Sequence, residues 1–282
     1  MVRFPQNEVF MNNKKVVFIS GASSGMGYTT AQLLAQKGFI VYAGARRLEK
    51  MEPLKSFGVN ILSLDVTDEI SCQNAIKTLI EKEGKIDVLI NNAGYGLFGT
   101  VEDITLEKAK NQFGVNVFGL ASLTKAVLPY MREQKSGRII NISSMGGRFV
   151  SACGAWYHAS KYAVEALSDA LRIELAQFNI KVVLIEPGII KTNWDNVAFD
   201  NLKMTSQGGA YEDFANKMIG KFNKLYTHKF ATKPEKVSEI ILKAINDKKP
   251  KTRYLVGFLS NTLVFLHNVL PNRYFDWIMK NF

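Results

Sequence analysis

Tyr157 and Lys161 stand four residues apart, so any helix that contains them presents a phenol and an ammonium from one face. A free phenol titrates near ~10, and a neighbouring cation favours its ionised form, which suits a group that must pass a proton in either direction. Ser144, upstream in the same Ser143 to Tyr162 segment, adds a hydroxyl that can hold the same substrate oxygen. A tyrosine and a lysine at this spacing are also an ordinary exposed helical pair. Of the ten tyrosines, however, only Tyr157 has a lysine four residues later. The pair becomes a reacting centre only if the rest of the chain builds a binding site to face it.

The elements that must position it start at Lys15 to Ser20, a short apolar, β-branched run. It ends in Gly21-Ala-Ser-Ser-Gly25-Met-Gly27 and gives way to a helical pattern reaching Lys37. Strand, glycine turn and helix in this order let the backbone approach a pyrophosphate and aim the helix N-terminus at it. The spacing is Gly-x-x-x-Gly-x-Gly rather than Gly-x-Gly-x-x-Gly, and a glycine-rich loop without a ligand is the competing reading. A second strand, Phe39 to Ala45, is followed by Arg46-Arg47 with no acid between Phe39 and Arg47. In a dinucleotide fold this position meets the adenosine ribose, where a carboxylate suits a free 2′-hydroxyl and arginine a 2′-phosphate. The sequence therefore predicts NADP(H) over NAD(H), with Arg46 and Arg47 on the phosphate and Ser23 assisting, against a plain solvated arginine pair.

Further strands are expected at Val59 to Asp65, Ile86 to Ile90, Gly137 to Ser143, Lys181 to Ile185 and Thr252 to Val256. Helical patterns intervene at Ser71 to Glu83, Thr105 to Arg132, Ala155 to Phe178 and Pro234 to Lys248. This alternation predicts an α/β, Rossmann-like, doubly wound parallel sheet of about seven strands with helices on both faces. Asp65, Asn91 and Ser144 then fall at strand C-termini, the edge where such sheets bind ligands, although Asp65 is also placed to cap the next helix. Asn116 lies amid Phe113, Val115, Val117, Phe118 and Leu120. A buried amide there needs partners, either in the site or within its own helix.

Residues 1–282 form one expected catalytic domain, with no repeat or linker. Asn193 to Tyr226, polar and containing Gly208-Gly209, is expected to be a substrate lid. Phe258 to Phe282 is an apolar, aromatic extension broken by His267, Pro271 and Arg273. It is expected first to pack on the domain, the alternatives being a subunit contact in a homo-oligomer or a peripheral membrane contact. The net charge of +11 admits anionic partners, but its spread along the chain argues against nucleic acid. Two cysteines, Cys72 and Cys153, and three histidines, His158, His228 and His267, give neither a disulfide framework nor metal-ligand spacing. Met1 to Phe10 lacks the apolar core of a secretion signal, and no uninterrupted eighteen-residue apolar run occurs, so a cytoplasmic protein is expected.

Taken together, these residues resemble the short-chain dehydrogenase/reductase superfamily in its single-domain form, over roughly Lys14 to Thr192. Gly21, Gly25 and Gly27 fit its glycine pattern, and Asn91-Asn92-Ala93-Gly94 its strand-four motif. Asn116, Ser144, Tyr157 and Lys161 fit its catalytic tetrad, and Pro187-Gly188 with Thr192 its nicotinamide loop. Ser20 stands where the family more often has threonine. The Ala-Arg-Arg after strand two and the apolar tail are similar to NADP-dependent members related to hydroxysteroid and retinol dehydrogenases and to acyl-dihydroxyacetone-phosphate reductase. The resemblance implies hydride transfer between nicotinamide and a hydrophobic carbonyl or secondary alcohol. Tyr157 would exchange the proton, Ser144 hold the oxygen, Lys161 lower the phenol pKa and hold the nicotinamide ribose, and Asn116 order a water relay. It places the dinucleotide on Gly21, Ser23, Ser24, Gly25, Met26, Gly27, Arg46, Arg47, Asp65, Val66, Asn91, Asn92, Ala93 and Gly94. Tyr157, Lys161, Pro187, Gly188, Ile190 and Thr192 complete that set. The substrate pocket is expected at Tyr95, Leu97, Ser144 and Phe149. A catalytically silent NADP(H)-sensing protein of the same fold is the alternative.

Overall fold

The computed structural model describes residues 14–192, 194–227 and 231–281. Met1–Asn13, Asn193 at the start of the expected lid, His228 and Phe282 lie outside the described residues. Seven strands form one parallel sheet: β1 (Val16–Ser20), β2 (Ile40–Ala45), β3 (Asn60–Ser63), β4 (Val88–Asn91), β5 (Gly137–Ile142), β6 (Ile180–Pro187) and β7 (Arg253–Val256). Their order is β3-β2-β1-β4-β5-β6-β7, so the winding reverses between β1 and β4 and opens a crevice there, at the C-terminal edge. Each strand is an apolar run because both faces are covered. Val17 and Ile19 pack with Ala31 and Leu34 of helix α1 (Gly25–Gln36) and with Val237 and Ile241 of α8 (Pro234–Asn246). Val16 and Phe18 point the other way, onto Cys72 and Ile76 of α2 (Glu69–Glu83) and Leu123 and Val127 of α4 (Leu120–Glu133).

The helical pattern from Thr105 to Arg132 is interrupted in the structure. Helix α3 (Leu106–Phe113) runs into a π-helical turn, Gly114–Gly119, before α4 begins. The turn places Asn116, only 1% exposed, against the sheet edge. Such bulges recur at functional sites because the extra residue re-aims a side chain. Helix α5 (Ala155–Leu175) carries Tyr157 and Lys161 alongside β6.

The segment expected to be a lid and the tail are both helical. The stretch expected to be a polar lid is two helices, α6 (Trp194–Ser206) and α7 (Glu212–Tyr226). Their inner sides, Ala198, Phe199, Leu202, Ala215 and Met218, pack with Phe98, Cys153 and Tyr157. The tail forms α9 (Ser260–Val269) and α10 (Asn272–Asn281). It packs on the domain through Leu263, Val264 and Phe275, which cluster with Phe149. No helix among the described residues is long and apolar enough to cross a membrane.

A buried charge network ties α5 to β6 and β7. Arg253 Nε lies 2.9 Å from Glu165 Oε2 and 3.2 Å from Glu186 Oε1, and Nη2 lies 2.7 Å from Asp169 Oδ2. Arg148 reaches the same Glu186 oxygen at 3.2 Å. The Glu186 side chain is fully buried. Burial pushes its carboxyl up to about 7, with the charge of Glu165 adding and Arg148 and Arg253 opposing. Removing Arg253 takes a shared cation from three carboxylates, leaving Glu165 with no ion-pair partner among the described residues while Glu186 keeps Arg148 and Asp169 keeps Arg172, so Arg253→Met is expected to lose about 3 kcal/mol in urea unfolding. Because the folded pKa of Glu186 exceeds its unfolded value, the folded state holds the extra proton and stability falls as pH rises from about 4.5 through 7. Glu186→Gln should flatten that decline; an unchanged slope would show that Glu186 does not titrate there.

Candidate active site

The glycine turn between β1 and α1 is closed against the segment after β4. Gly21 has φ +69°, and a Cβ there would stand 2.7 Å from the Ala93 Cα. A Cβ at Gly27 would meet the Gly21 carbonyl oxygen at 2.5 Å and Asn92 Nδ2 at 2.4 Å. Only glycine permits this approach. Hydrogen bonds complete the latch. Ser20 Oγ accepts from the Asn92 and Ala93 amides at 3.1 Å each, and Asn92 Nδ2 donates to the Ser20 and Gly21 carbonyls at 3.0 and 3.1 Å. The hydroxyl that Ser20 keeps is thus the brace of the switch point. At the start of α1, Ser24 makes no side-chain capping bond and the first turn carries no acidic residue, which leaves an N-terminus suited to an anion.

A cleft of about 830 Å³ opens over this turn. Gly21, Ser23, Ser24, Gly25, Met26, Gly27, Arg46, Arg47, Asp65, Val66, Asn92, Ala93, Gly94 and Thr192 all line it. Arg47 Nη2 donates to Ser23 Oγ at 3.1 Å, joining the arginine pair to the glycine loop. Asp65 Oδ1 accepts from the Thr67 amide and hydroxyl at 3.0 and 2.7 Å. Those bonds, with Arg46 nearby, hold its carboxyl below the usual range. Asp65 does not cap α2; Asp68 does, accepting from the Ile70 amide. Asn91 is not part of the cleft wall. It is buried, donating to Thr124 Oγ1 at 3.0 Å and Asn141 Oδ1 at 2.9 Å, because it is the last residue of β4 and its side chain lies beneath the edge.

At the other end of the crevice, a 3-10 turn, Met145–Gly147, and α5 bring Ser144 and Tyr157 together. Ser144 Oγ accepts from the Gly146 amide at 3.0 Å and faces the Pro187 carbonyl at 3.5 Å. Lys161 Nζ lies 6.0 Å from the Tyr157 ring centroid and donates to the Ile142 carbonyl at 2.9 Å. Asn116 Nδ2 donates to the Tyr95 carbonyl and to Ser160 Oγ at 3.0 Å each, and its Oδ1 accepts from the Tyr95 amide at 3.1 Å. A Cβ added to Gly94 would stand 3.1 Å from Asn116 Oδ1 and 3.7 Å from Lys161 Nζ, so both lie directly behind the cleft wall.

Burial dominates the proton affinities here. It pushes the Tyr157 phenol up to about 12, partly offset by a hydrogen bond with Ser144, and pushes the Lys161 ammonium down to about 8, opposed by the charge of Glu165. The net shift of the phenol is upward rather than the lowering expected from Lys161: loss of water outweighs the opposing hydrogen bond with Ser144. In the protein alone, at neutral pH, Tyr157 holds its proton and Lys161 stays charged.

A second, smaller cavity of about 150 Å³ adjoins Ser144 and Tyr157. Phe149, Pro187, Gly188, Ile190 and Thr192 line it, as do Phe98, His158, Phe199, Phe222, Leu263 and Met279. Two expected walls lie elsewhere. Tyr95 lines the larger cleft, and Leu97 is buried with Ile104 and Ala109. Phe98 rather than Leu97 meets Tyr157, with ring centroids 5.8 Å apart. From the sequence, His158 stands out only as a histidine without metal-ligand spacing. Its Nδ1 is 2.9 Å from the Gly146 carbonyl oxygen and so carries the proton, while Nε2 accepts from the Ser151 amide at 3.1 Å. Its position next to Tyr157 was the one signal available.

A sequence model of the short chain dehydrogenase family matches residues 15–203. The chain belongs to this family. Its members include a 3-ketodihydrosphingosine reductase of Bacteroides thetaiotaomicron, 40% identical over 256 residues, 88% of this chain and 90% of that protein. A short-chain dehydrogenase structure from Streptomyces avermitilis superposes with TM-score 0.79 at 33% identity, covering 90% of this chain and 93% of that one. A serine dehydrogenase solved in its closed form with NADP+ gives TM-score 0.76 at 30% identity, covering 87% and 95%. Solved neighbours hold NADP+ or NAD. The chain is thus an oxidoreductase of the short-chain dehydrogenase/reductase family.

Lys161 offers a test of this geometry. A lysine whose folded pKa lies below its unfolded value of 10.5 costs stability while charged, and that cost fades as pH rises through about 8 to 10.5. Lys161→Met is expected to be more stable than the parent by about 1–3 kcal/mol at pH 7, the gap closing by about pH 10 in urea unfolding. A less stable variant, or a gap independent of pH, would contradict the buried-cation assignment.

Proposed function

We propose that the protein is an NADP(H)-dependent oxidoreductase that moves a hydride between nicotinamide and the carbon of a ketone, aldehyde or secondary alcohol on a hydrophobic substrate. One observation carries this reading: Ser144 and Tyr157 stand where an apolar cavity meets the cleft over the glycine turn. The cleft suits a dinucleotide because its floor is bare backbone at Gly21 and Gly27, where a Cβ would clash, and because an uncapped helix N-terminus faces it. When bound, the dinucleotide supplies or accepts the hydride; the remaining work falls to side chains of this chain.

Tyr157, protonated at neutral pH, gives its proton to the carbonyl oxygen during reduction and takes it back from the alcohol in the reverse direction. Ser144 directs its hydroxyl at the same oxygen and fixes the substrate against the phenol. Lys161 keeps a positive charge beneath the ring, which stabilises the phenolate as the proton leaves. Asn116 holds Tyr95 and Ser160 and so fixes the floor on which Lys161 and Tyr157 stand. Phe98, Phe149, Phe199 and Phe222 exclude water and favour a steroid-, retinoid- or lipid-like substrate. The name of the 40% identical relative, a 3-ketodihydrosphingosine reductase, specifies a lipid ketone and supports this class. We assign the activity to the cytoplasm, where the buried thiols of Cys72 and Cys153 stay reduced.

Purified protein mixed with NADPH and a panel of long-chain and cyclic ketones is expected to oxidise NADPH, and Tyr157→Phe to lose at least about 10²-fold in kcat. Full activity of that variant would remove Tyr157 as proton donor, and tight NADPH binding without transfer to any substrate would favour a sensor. Replacing both Arg46 and Arg47 by alanine is expected to raise the KM for NADPH about tenfold or more and to leave that for NADH little changed. Equal effects on both cofactors would overturn the 2′-phosphate assignment.

A further inference from the structure

We infer that the outer face formed by α7 and α10, with the exposed side of α9, docks on an anionic lipid surface. On α10, Arg273, Tyr274, Trp277 and Lys280 recur at helical spacing along one stripe. Tyr274 is 63% and Trp277 67% exposed, while Phe275, behind them, is buried. Lys217, Lys221 and Lys224 form a second stripe along α7. Lys221 Nζ donates to the Lys280 carbonyl at 3.1 Å, which sets the two stripes side by side. The acids of α7, Glu212 and Asp213, lie in its first turn, at the far end from this junction, and Asp276 is the acid of α10. On α9, Phe265 and Val269 are more than half exposed.

Lysines and arginines interleaved with tryptophan, tyrosine and phenylalanine match the headgroup region of a membrane. Cations there meet phosphate and carboxylate groups while amphipathic rings enter the boundary with the acyl chains. The charge selects an anionic bilayer over a second copy of this chain, because two such faces would repel each other. The same three helices wall the small cavity from within, through Leu225 and Tyr226 on α7, Leu263 on α9 and Met279 on α10. Docking would set that wall against the bilayer, so that an apolar substrate leaves the lipid close to Tyr157. This last step rests on the function proposed above, whereas the docking does not.

The test is co-sedimentation of the full chain, without dinucleotide or substrate, with vesicles of phosphatidylcholine alone or with about one third phosphatidylserine. Binding is expected only with the anionic lipid and is expected to fall as salt rises. Lys217→Glu/Lys224→Glu and Trp277→Ala, each checked for folding by circular dichroism, should each weaken binding by about tenfold or more. Neither should change turnover of a short, water-soluble ketone. Absence of binding with normal turnover on that ketone would overturn the docking and spare the proposed function; binding without turnover on any substrate would do the reverse. Self-association in sedimentation velocity that Trp277→Ala abolishes would assign the face to a second copy and overturn the inference.

Discussion

The ammonium of Lys161 sits out of water at the end of β5, and much of the surrounding structure exists to keep it there and charged. Its proton is directed at the Ile142 carbonyl, and one helical turn on, the carboxylate of Glu165 opposes the penalty of burial. Glu165 is in turn held by Arg253 of β7, which also binds Glu186 of β6 and Asp169 of α5. Glu186 precedes Pro187, whose carbonyl faces Ser144 Oγ. A continuous set of contacts therefore runs from the cation under the phenol, through two strands, to the serine beside that phenol. Ser144, Tyr157 and Lys161 are held by one buried framework rather than by three independent loops.

That framework is itself expensive. Glu165 Oε1, Glu186 Oε2 and Ser143 Oγ are buried without a hydrogen-bond partner among the described residues. A Cβ on Gly147 would meet both Ser143 Oγ and Glu165 Cγ, which places these groups around one spot. Burial, with the charge of Glu165 adding, pushes the Glu186 carboxyl up to about 7. The stability given up there is of the kind found where a fold fixes charged groups for chemistry, and it argues against reading the network as a stabilising device.

Most of the sheet was legible because buried parallel strands leave apolar runs, and most of them ended at a residue type with an evident use. The order from the glycine turn to Ser144 and Thr192 followed directly. What the sequence could not settle were choices between neighbours. Asn91 and Asn92 are adjacent, and only the register of β4 on β5 decides that Asn91 pairs with Asn141 inside while Asn92 latches the glycine turn. Leu97 and Phe98 pose the same problem. The π-helical turn at Asn116 was hidden for another reason: its residues continue the apolar pattern of the helices on either side. The direction of the phenol shift was misjudged because the spacing of Tyr157 and Lys161 reveals proximity but not burial.

The cavity walls differ in origin from Ser144, Tyr157 and Lys161. Ser144 caps the turn just after β5, and Tyr157 and Lys161 stand on α5, which is fixed by apolar contacts with the sheet. The walls draw on pieces far apart in sequence, among them Phe98, the loop at Phe149 to Ser151, the stretch from Pro187 to Ile190, the helices α6 and α7, and the tail helices. The loop is pinned to α5 by His158, through Gly146 and Ser151. Substitutions in α6, α7 or the tail helices therefore reshape the cavity wall without removing a hydrogen bond of Ser144 or Lys161. The cavity wall is built largely from segments whose polar or aromatic composition concealed their inward faces, whereas Ser144, Tyr157 and Lys161 stand on a core that the sequence declares openly.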